Sequence, residues 1–368
     1  MPVAATLFDP VTVAGLALRN RTVMSPMTRR FSPGGIPTAE VAAYYVRRAE
    51  AGVGAIITEG VAIDHPVAVD HADIPIFYGD ALPVWRDIAA QVKAAGAAFI
   101  PQLWHVGGHR SLTETPPSPD LPSVSPSGIY QPGAPFGEPA TERQIADIIA
   151  AYARSARAAL EIGADGIEIH GAHGYLIDQF LWAPTNARTD RYGGDFQRRL
   201  TFATEVVRAC RRATTASFPI LFRFSQFKQV DYSARLFATP EDLAAFLEPL
   251  VDAGVDIFDC SQRRFWDAEF GGSDLNLAGW TRKLGGRPVM TVGSVGLGSD
   301  VVASLREGQD ISEASALDRL ETLLARGDFD LVGIGRALLA DPQWVAKVQN
   351  GQNDQLVGFS RAALQTLS

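Results

Sequence analysis

Five times along this chain an amphipathic stretch ends at a glycine, and a short apolar run follows at once. The pattern reads Ala51-Gly52-Val53-Gly54-Ala55-Ile56-Ile57, then Ala95-Gly96-Ala97-Ala98-Phe99-Ile100, then Ile162-Gly163-Ala164-Asp165-Gly166-Ile167. It returns as Ala253-Gly254-Val255-Asp256-Ile257-Phe258 and Gly327-Asp328-Phe329-Asp330-Leu331-Val332. Glycine ends a helix by taking left-handed backbone, so each run is expected to be a strand entered straight from a helix. Strands separated by helices run parallel, because each crossover returns the chain to the same end of the sheet. Further strands are expected at 21–25, 219–224 and 288–292. Eight such units fit an α/β fold of the closed (β/α)8 or TIM barrel type. An open doubly wound sheet would want a G-x-G-x-x-G turn after its first strand, and none is present. No linker or composition shift divides the chain, so one domain over 1–368 is expected.

The helix before the fourth strand is the best defined. Thr141 with Gln144 makes a capping box, and Ile145, Ile148, Ile149, Tyr152, Ala156, Ala159 and Leu160 recur at helical spacing. Two segments break the rhythm. Residues 105–139, after the third strand, are rich in Pro, Ser and Gly and too long for a simple connection; they read as a loop over the carboxyl mouth, with a disordered surface loop as the alternative for 116–139. Residues 306–317 are polar and read as an inserted connection on the far side of the last helices.

A formal net charge of -8 with no basic arm argues against nucleic acid as a partner. Two cysteines, Cys210 and Cys260, are too few for a disulfide framework, a four-cysteine zinc site or a cysteine-ligated cluster within this chain. The N-terminus lacks the basic start and apolar core of a signal peptide, and no apolar run approaches the ~18 residues of a membrane span. A cytoplasmic protein without membrane contact is expected. The sequence does not bear on oligomeric state.

The chemistry concentrates where barrel strands end. Asp165-Gly166-Ile167-Glu168-Ile169-His170-Gly171-Ala172-His173-Gly174-Tyr175 is a strand that delivers two imidazoles and a phenol to the carboxyl edge. His170 and His173 can converge on one substrate oxygen, and Tyr175 can supply a proton. Other strand ends carry Ser25-Pro26-Met27-Thr28-Arg29, Thr58-Glu59-Gly60, Gln102-Leu103-Trp104-His105 and Arg223-Phe224-Ser225, and a hydroxyl, a glycine backbone, an amide and a guanidinium facing inward match the edge of a planar heterocycle. The alternative for Arg223 is a structural ion pair with a strand-end acid such as Glu59. After strands seven and eight, Gly293-Ser294 and Gly335-Arg336 form a phosphate grip, although either glycine pair alone could serve tight packing.

These motifs resemble the Old Yellow Enzyme family of FMN-dependent ene-reductases from Leu7 to about Val345. The resemblance rests on Met24-Ser25-Pro26-Met27-Thr28-Arg29, Thr58-Glu59-Gly60, Gln102-Leu103-Trp104, His170 through Leu176, Asn186 through Gly194, and Gly333-Ile334-Gly335-Arg336. It implies a (β/α)8 barrel with FMN at the carboxyl mouth and NADH or NADPH as hydride donor. Pro26, Thr28, Gly60, Gln102 and Arg223 would contact the isoalloxazine, and Gly293, Ser294, Gly335 and Arg336 would hold the phosphate. His170 and His173 would bind the oxygen of an electron-poor alkene, Tyr175 would donate the proton, and Trp104 would line the acceptor pocket. The reaction implied is ping-pong reduction of activated C=C bonds, with no metal. Arg263-Arg264-Phe265-Trp266, after strand six, would shape the pocket or the nicotinamide site, or simply pack the mouth.

Two rivals use the same residues. A metal-dependent hydrolase would recruit His170, His173 and His105 or His109, though no H-E-x-x-H motif exists and Arg223 with Gly335-Arg336 goes unexplained. A passive flavin carrier would leave Tyr175 and both histidines without a task.

Overall fold

The computed structural model describes residues 7–112, 116–135, 137–310 and 314–368. Eight strands close into one barrel: β1 (Thr22–Met24), β2 (Ala55–Ala62), β3 (Ala98–Trp104), β4 (Ile167–His170), β5 (Ile220–Ser225), β6 (Ile257–Ser261), β7 (Val289–Val292) and β8 (Leu331–Ile334). Every neighbouring pair is parallel, including β8 with β1. Helices α1 (Ala39–Glu50), α2 (Ala81–Ala94), α3 (Glu142–Glu161), α4 (Phe196–Ala213), α5 (Pro240–Ala253), α6 (Leu277–Gly285), α7 (Val301–Glu307), α8 (Ala314–Arg326) and α9 (Arg336–Ala340) occupy the connections.

The helix-ending glycines behave as their positions require. Gly52, Gly96, Gly163, Gly254 and Gly327 have φ of 104, 90, 83, 115 and 85°, backbone that a side chain would strain. At the other end of α3, Thr141 Oγ1 accepts from the Gln144 N–H at 3.2 Å while Gln144 Oε1 accepts from the Thr141 N–H at 2.9 Å. Ile145, Ile148, Tyr152, Ala156 and Ala159 face the sheet and are fully buried, whereas Ile149 and Leu160 lie at its margin.

Strand alternation sorts the barrel interior into layers. Near the amino ends Val23, Ile57, Ile100, Leu221, Ile257 and Met290 point inward, and a hairpin of Val11–Val13 with Leu16–Leu18 closes that end. Its turn, Ala14-Gly15, has positive φ at both residues, the backbone that suits a two-residue hairpin. Two residues further along the same strands the interior turns polar: Gln102, Arg223 and Asp259, then Trp104, Ser225 and Ser261. An apolar plug thus lies under a polar mouth.

The segment after β3 is folded back over that mouth. A 3-10 turn at Gly107–Leu112 leads to Val124–Ser125, which pairs with Glu138–Pro139, and Ile129–Gln131 pairs with Ala134–Pro135. Gly108 N–H donates to Gln179 Oε1 at 3.0 Å, and Ala187 N–H donates to Ser127 Oγ at 2.8 Å, tying the loop down. Residues 113–115 and 136 lie outside the described residues.

The 306–317 segment departs from expectation. It does not stay on the far side: α7 leads into Gln309–Asp310, a strand antiparallel to Phe359–Ser360, and α8 begins at Ala314. The cause is charge, because Asp310 pairs with Arg336 at 3.1 Å and accepts from Ser304 at 2.6 Å. Residues 311–313 lie outside the described residues. Among the described residues no helix is long and apolar enough to cross a membrane.

Candidate active site

The turn after β4 carries the densest chemistry, and its shape follows from a few constraints. A Cβ on Gly171 would collide with the Phe222 ring and lie 3.1 Å from the Arg223 carbonyl oxygen, so only glycine fits. His173 adopts left-handed backbone, φ 64°, followed by Gly174 at 85°. His173 N–H donates to Ser225 Oγ at 3.0 Å, and Gly174 N–H donates to Asp178 Oδ2 at 2.7 Å. Lys228 Nζ donates to Asp178 Oδ1 at 2.6 Å, and both side chains are fully buried. Burial raises Asp178 and lowers Lys228, each opposed by the partner's charge.

The two imidazoles project over the mouth with ring centroids 5.2 Å apart. Ala172 N–H donates to His170 Nδ1 at 3.3 Å, which leaves the His170 proton on Nε2. His173 Nε2 lies 2.8 Å from Ser261 Oγ, which also accepts from Arg223 at 3.3 Å. Burial is the main cause holding both histidines well below the usual imidazole range, and the Arg223 cation adds to it. Both therefore favour the neutral imidazole. Tyr175 stands edge-on to Trp104 at 4.8 Å and to His170 at 5.0 Å. Burial raises its phenol, while Gln229 Nε2, donating to Oη at 2.8 Å, works the other way.

Arg223 does not pair with Glu59. Its partner is Asp259, 2.5 Å away on the adjacent strand, because the β5–β6 register sets the two residues side by side. Glu59 Oε2 instead accepts the N–H groups of Arg29 at 2.7 Å and Arg30 at 3.3 Å, fixing the chain beside Thr28. Burial lifts Glu59 to about 7. Gln102 Nε2 donates to Glu168 Oε1 at 2.7 Å. Burial and the Asp259 charge raise Glu168 well above the usual carboxylate range.

Two adjoining cavities collect the expected residues. One of about 830 Å³ is lined by Pro26, His173, Arg223, Gly293, Ser294, Gly335 and Arg336. The other, about 520 Å³, is lined by Pro26, Thr28, Gly60, Gln102, Trp104, His170, His173, Tyr175 and Arg223. Pro26, His173, Arg223 and Gln229 border both, so the two form one trough across the mouth. Gly60 is glycine for Trp104, since a Cβ would lie 2.6 Å from that indole. A Cβ on Gly293 would lie 2.6 Å from the Gln262 carbonyl oxygen. Arg336 is held by its own chain, donating to Ser294 Oγ at 3.2 Å and to the Ser299 carbonyl at 3.0 Å besides pairing with Asp310. Arg263 borders the larger cavity, whereas Arg264 pairs with Asp300 at 2.9 Å, Phe265 is buried and Trp266 packs edge-on against it at 5.0 Å.

Sequence reasoning missed Gln229, Ser261, Asp259 and Glu168. Alternation along β6 could have found Asp259 and Ser261; nothing in the sequence marks Gln229. Both candidates for the rival hydrolase's third histidine face other partners. His105 Nε2 is 3.2 Å from His65 and its Nδ1 accepts from Gly107 N–H, while His109 lies 3.5 Å from Asp70. Among the described residues no three His, Cys, Asp or Glu are grouped to hold a metal ion.

Comparison with known proteins follows the same lines. The sequence model of the NADH:flavin oxidoreductase / NADH oxidase family matches residues 6–355. A metal reductase of Desulforamulus reducens is 32% identical over 363 residues, 95% of this chain but 49% of that protein. 12-Oxophytodienoate reductase 2 of Arabidopsis thaliana is 32% identical over 361 residues, covering 93% of this chain and 88% of its own. In fold, Old Yellow Enzyme from Pichia sp. AKU4542 matches with a TM-score of 0.81 at 24% identity, covering 99% of this chain and 91% of its own. The chain spans about half the length of the first of these relatives.

Proposed function

Because the chain belongs to the NADH:flavin oxidoreductase / NADH oxidase family, we propose that it binds FMN in the trough and reduces the C=C bond of electron-poor alkenes with hydride from NADH or NADPH. The residues fit an FMN. The two cavities, about 830 and 520 Å³, share Arg223 in their lining, and Arg336 lines only the larger, which provides room and a cation for a ring and for a phosphate. Among the described residues, buried Arg223 Nε and Ser25 Oγ have no partner, polar atoms that a heterocycle edge can satisfy. Pro26, Thr28, Gly60, Gln102 and Arg223 would hold the ring; Gly293, Ser294, Gly335 and Arg336 the phosphate. Bound there, FMN would supply two-electron hydride chemistry between the nicotinamide and the β-carbon of the alkene.

The rest falls to side chains. His170 Nε2–H, with His173 beside it, hydrogen-bonds the activating carbonyl or nitro oxygen and stabilises enolate charge as it develops. Neutral imidazoles suit that task, because they donate without competing for the proton. Tyr175 gives its proton to the α-carbon, and Trp104 closes the apolar side of the acceptor pocket. Donor and acceptor need the same trough, so they bind in turn, the ping-pong order.

One observation carries the reading: His170, His173, Tyr175 and Arg223 line one and the same cavity. The test is spectroscopic. Purified protein should be yellow, bleach anaerobically with NADH or NADPH, and recover its colour on adding 2-cyclohexenone. Colourless protein, or bleached protein that no activated alkene reoxidises, would overturn it.

A further inference from the structure

We infer that Gln229 is the positioning residue that makes Tyr175 a competent proton donor. The inference rests on the proposed alkene reduction. A phenol has one proton to give and lone pairs that can accept. In the structure Gln229 Nε2–H donates to Tyr175 Oη at 2.8 Å, so a lone pair is taken and the O–H is left for the substrate. Gln229 borders both cavities, which puts the amide at the same opening as the phenol.

The charge change makes that bond matter. When the α-carbon takes the proton, Oη becomes a phenolate. Trp104, His170 and His109 surround this ring, Asp70 and Tyr130 disfavour the anion, and Arg30 favours it only from an exposed position. The Gln229 N–H is the donor directly on the oxygen, and it strengthens as the oxygen charges. Its effect is thus greater in the transition state than in the resting site, the condition for raising a rate.

Gln229 is also preorganised. Its own N–H donates to the His173 carbonyl at 3.2 Å, and the preceding Lys228 is pinned by Asp178. The amide therefore meets the phenol without ordering a loop at the moment of reaction.

Gln229→Met keeps length and removes the N–H; Gln229→Glu replaces the donor by an acceptor that competes for the phenol proton. The measurement is anaerobic stopped flow on FMN-loaded enzyme, reading reduction by NADH and reoxidation by 2-cyclohexenone or by ferricyanide. Ferricyanide removes electrons singly and takes no proton from Tyr175. The enone-to-ferricyanide rate ratio is expected to fall about 10- to 100-fold in Gln229→Met and further in Gln229→Glu, in kcat rather than KM. In a Tyr175→Phe background Gln229→Met should add nothing, since the two act through one oxygen.

An unchanged ratio in Gln229→Met, alongside a slowed Tyr175→Phe, defeats the role of Gln229 and spares the proposed function. An equal slowing toward ferricyanide, or full additivity with Tyr175→Phe, also defeats it. If Tyr175→Phe itself reduces the enone at the wild-type rate, the proton-donor reading fails, and this inference with it.

Discussion

Two carboxylates and one guanidinium share the barrel interior below the mouth, and their protonation should be visible in stability. Asp259 is fully buried and 2.5 Å from Arg223; burial raises its carboxyl, and the Arg223 cation is the main influence that opposes the rise and favours its charge. Glu168 has the neutral amide of Gln102 at 2.7 Å. Burial first, then the Asp259 charge, lifts Glu168 well above its ordinary value of 4.5. The folded chain therefore holds a proton that the unfolded chain releases. Stability from this group is fully present below about pH 4.5 and falls as pH rises above it, by about 1.4 kcal/mol per pH unit while the folded state keeps the proton. Glu168→Gln removes that titration while leaving an oxygen for Gln102 and an N–H for Asp259. At pH 7 the variant is expected to exceed the wild type by up to about 3 kcal/mol, with the margin shrinking toward pH 5. Asp259→Asn acts in the opposite sense, because Arg223 loses its ionised partner. Such a loss costs about 3–5 kcal/mol in general, and less here, since Glu168 relieved of the Asp259 charge ionises in its place. Urea unfolding followed by tryptophan fluorescence at pH 5, 6 and 7 measures both. A Glu168→Gln difference that is flat across pH, or an Asp259→Asn variant as stable as wild type at pH 7, refutes the reasoning.

Four further outcomes are expected. Tyr175→Phe should slow alkene-dependent reoxidation by about 10²- to 10⁴-fold and affect reduction by the nicotinamide far less; stopped flow of the two half-reactions separates them, and equal losses count against the proton donor. Alkene reduction should show no imidazole ionisation between pH 6 and 8, because His170 and His173 titrate well below their ordinary 6.5; an inflection in that range in the kcat profile contradicts neutral histidines. Gly171→Ala should destabilise by about 1–3 kcal/mol through overpacking on Phe222 and the Arg223 carbonyl, seen as a lower melting temperature. Lys228→Met leaves Asp178 buried without its cation and should cost about 3–5 kcal/mol; hydrogen exchange at the Gly174 amide, which donates to Asp178, should rise with it.

The barrel was legible because its signals are local. A glycine that must take positive φ after a helix, as Gly163 does, fixes where the strand begins, and alternation then fixes which residues face inward. The mouth was legible for a similar reason: a residue at a strand's carboxyl end with inward parity can hardly avoid the site, so His170, Gln102 and Arg223 were identifiable. Pairings across strands were not. Whether Arg223 meets Glu59 or Asp259 depends on barrel register and on the irregularity between Ile57 and Gly60 in β2, neither of which leaves a mark in sequence. Asp310 was missed because it reaches Arg336 only once its strand pairs with Phe359–Ser360, some 50 residues on. Gln229 lies in a loop, where period gives no direction.

What rigidifies the turn after β4 is its union with the next loop. His173 in left-handed backbone is unfavourable for a residue with a side chain, by about 1–3 kcal/mol. The stretch from Ser225 to Gln229 offsets that at three points: the Ser225 hydroxyl takes the His173 N–H, the Gln229 N–H takes the His173 carbonyl, and Lys228 closes on Asp178 beneath. Hydrogen bonds of this kind stabilise by roughly 0.5–1.5 kcal/mol each, so together they match the strain and hold the turn in one conformation. The same stitches set the distance from Gln229 to Tyr175. A cut anywhere in this set should therefore loosen the imidazole and the phenol together, which is why Lys228, remote from any acceptor, belongs to the fold of the site and not merely to the core.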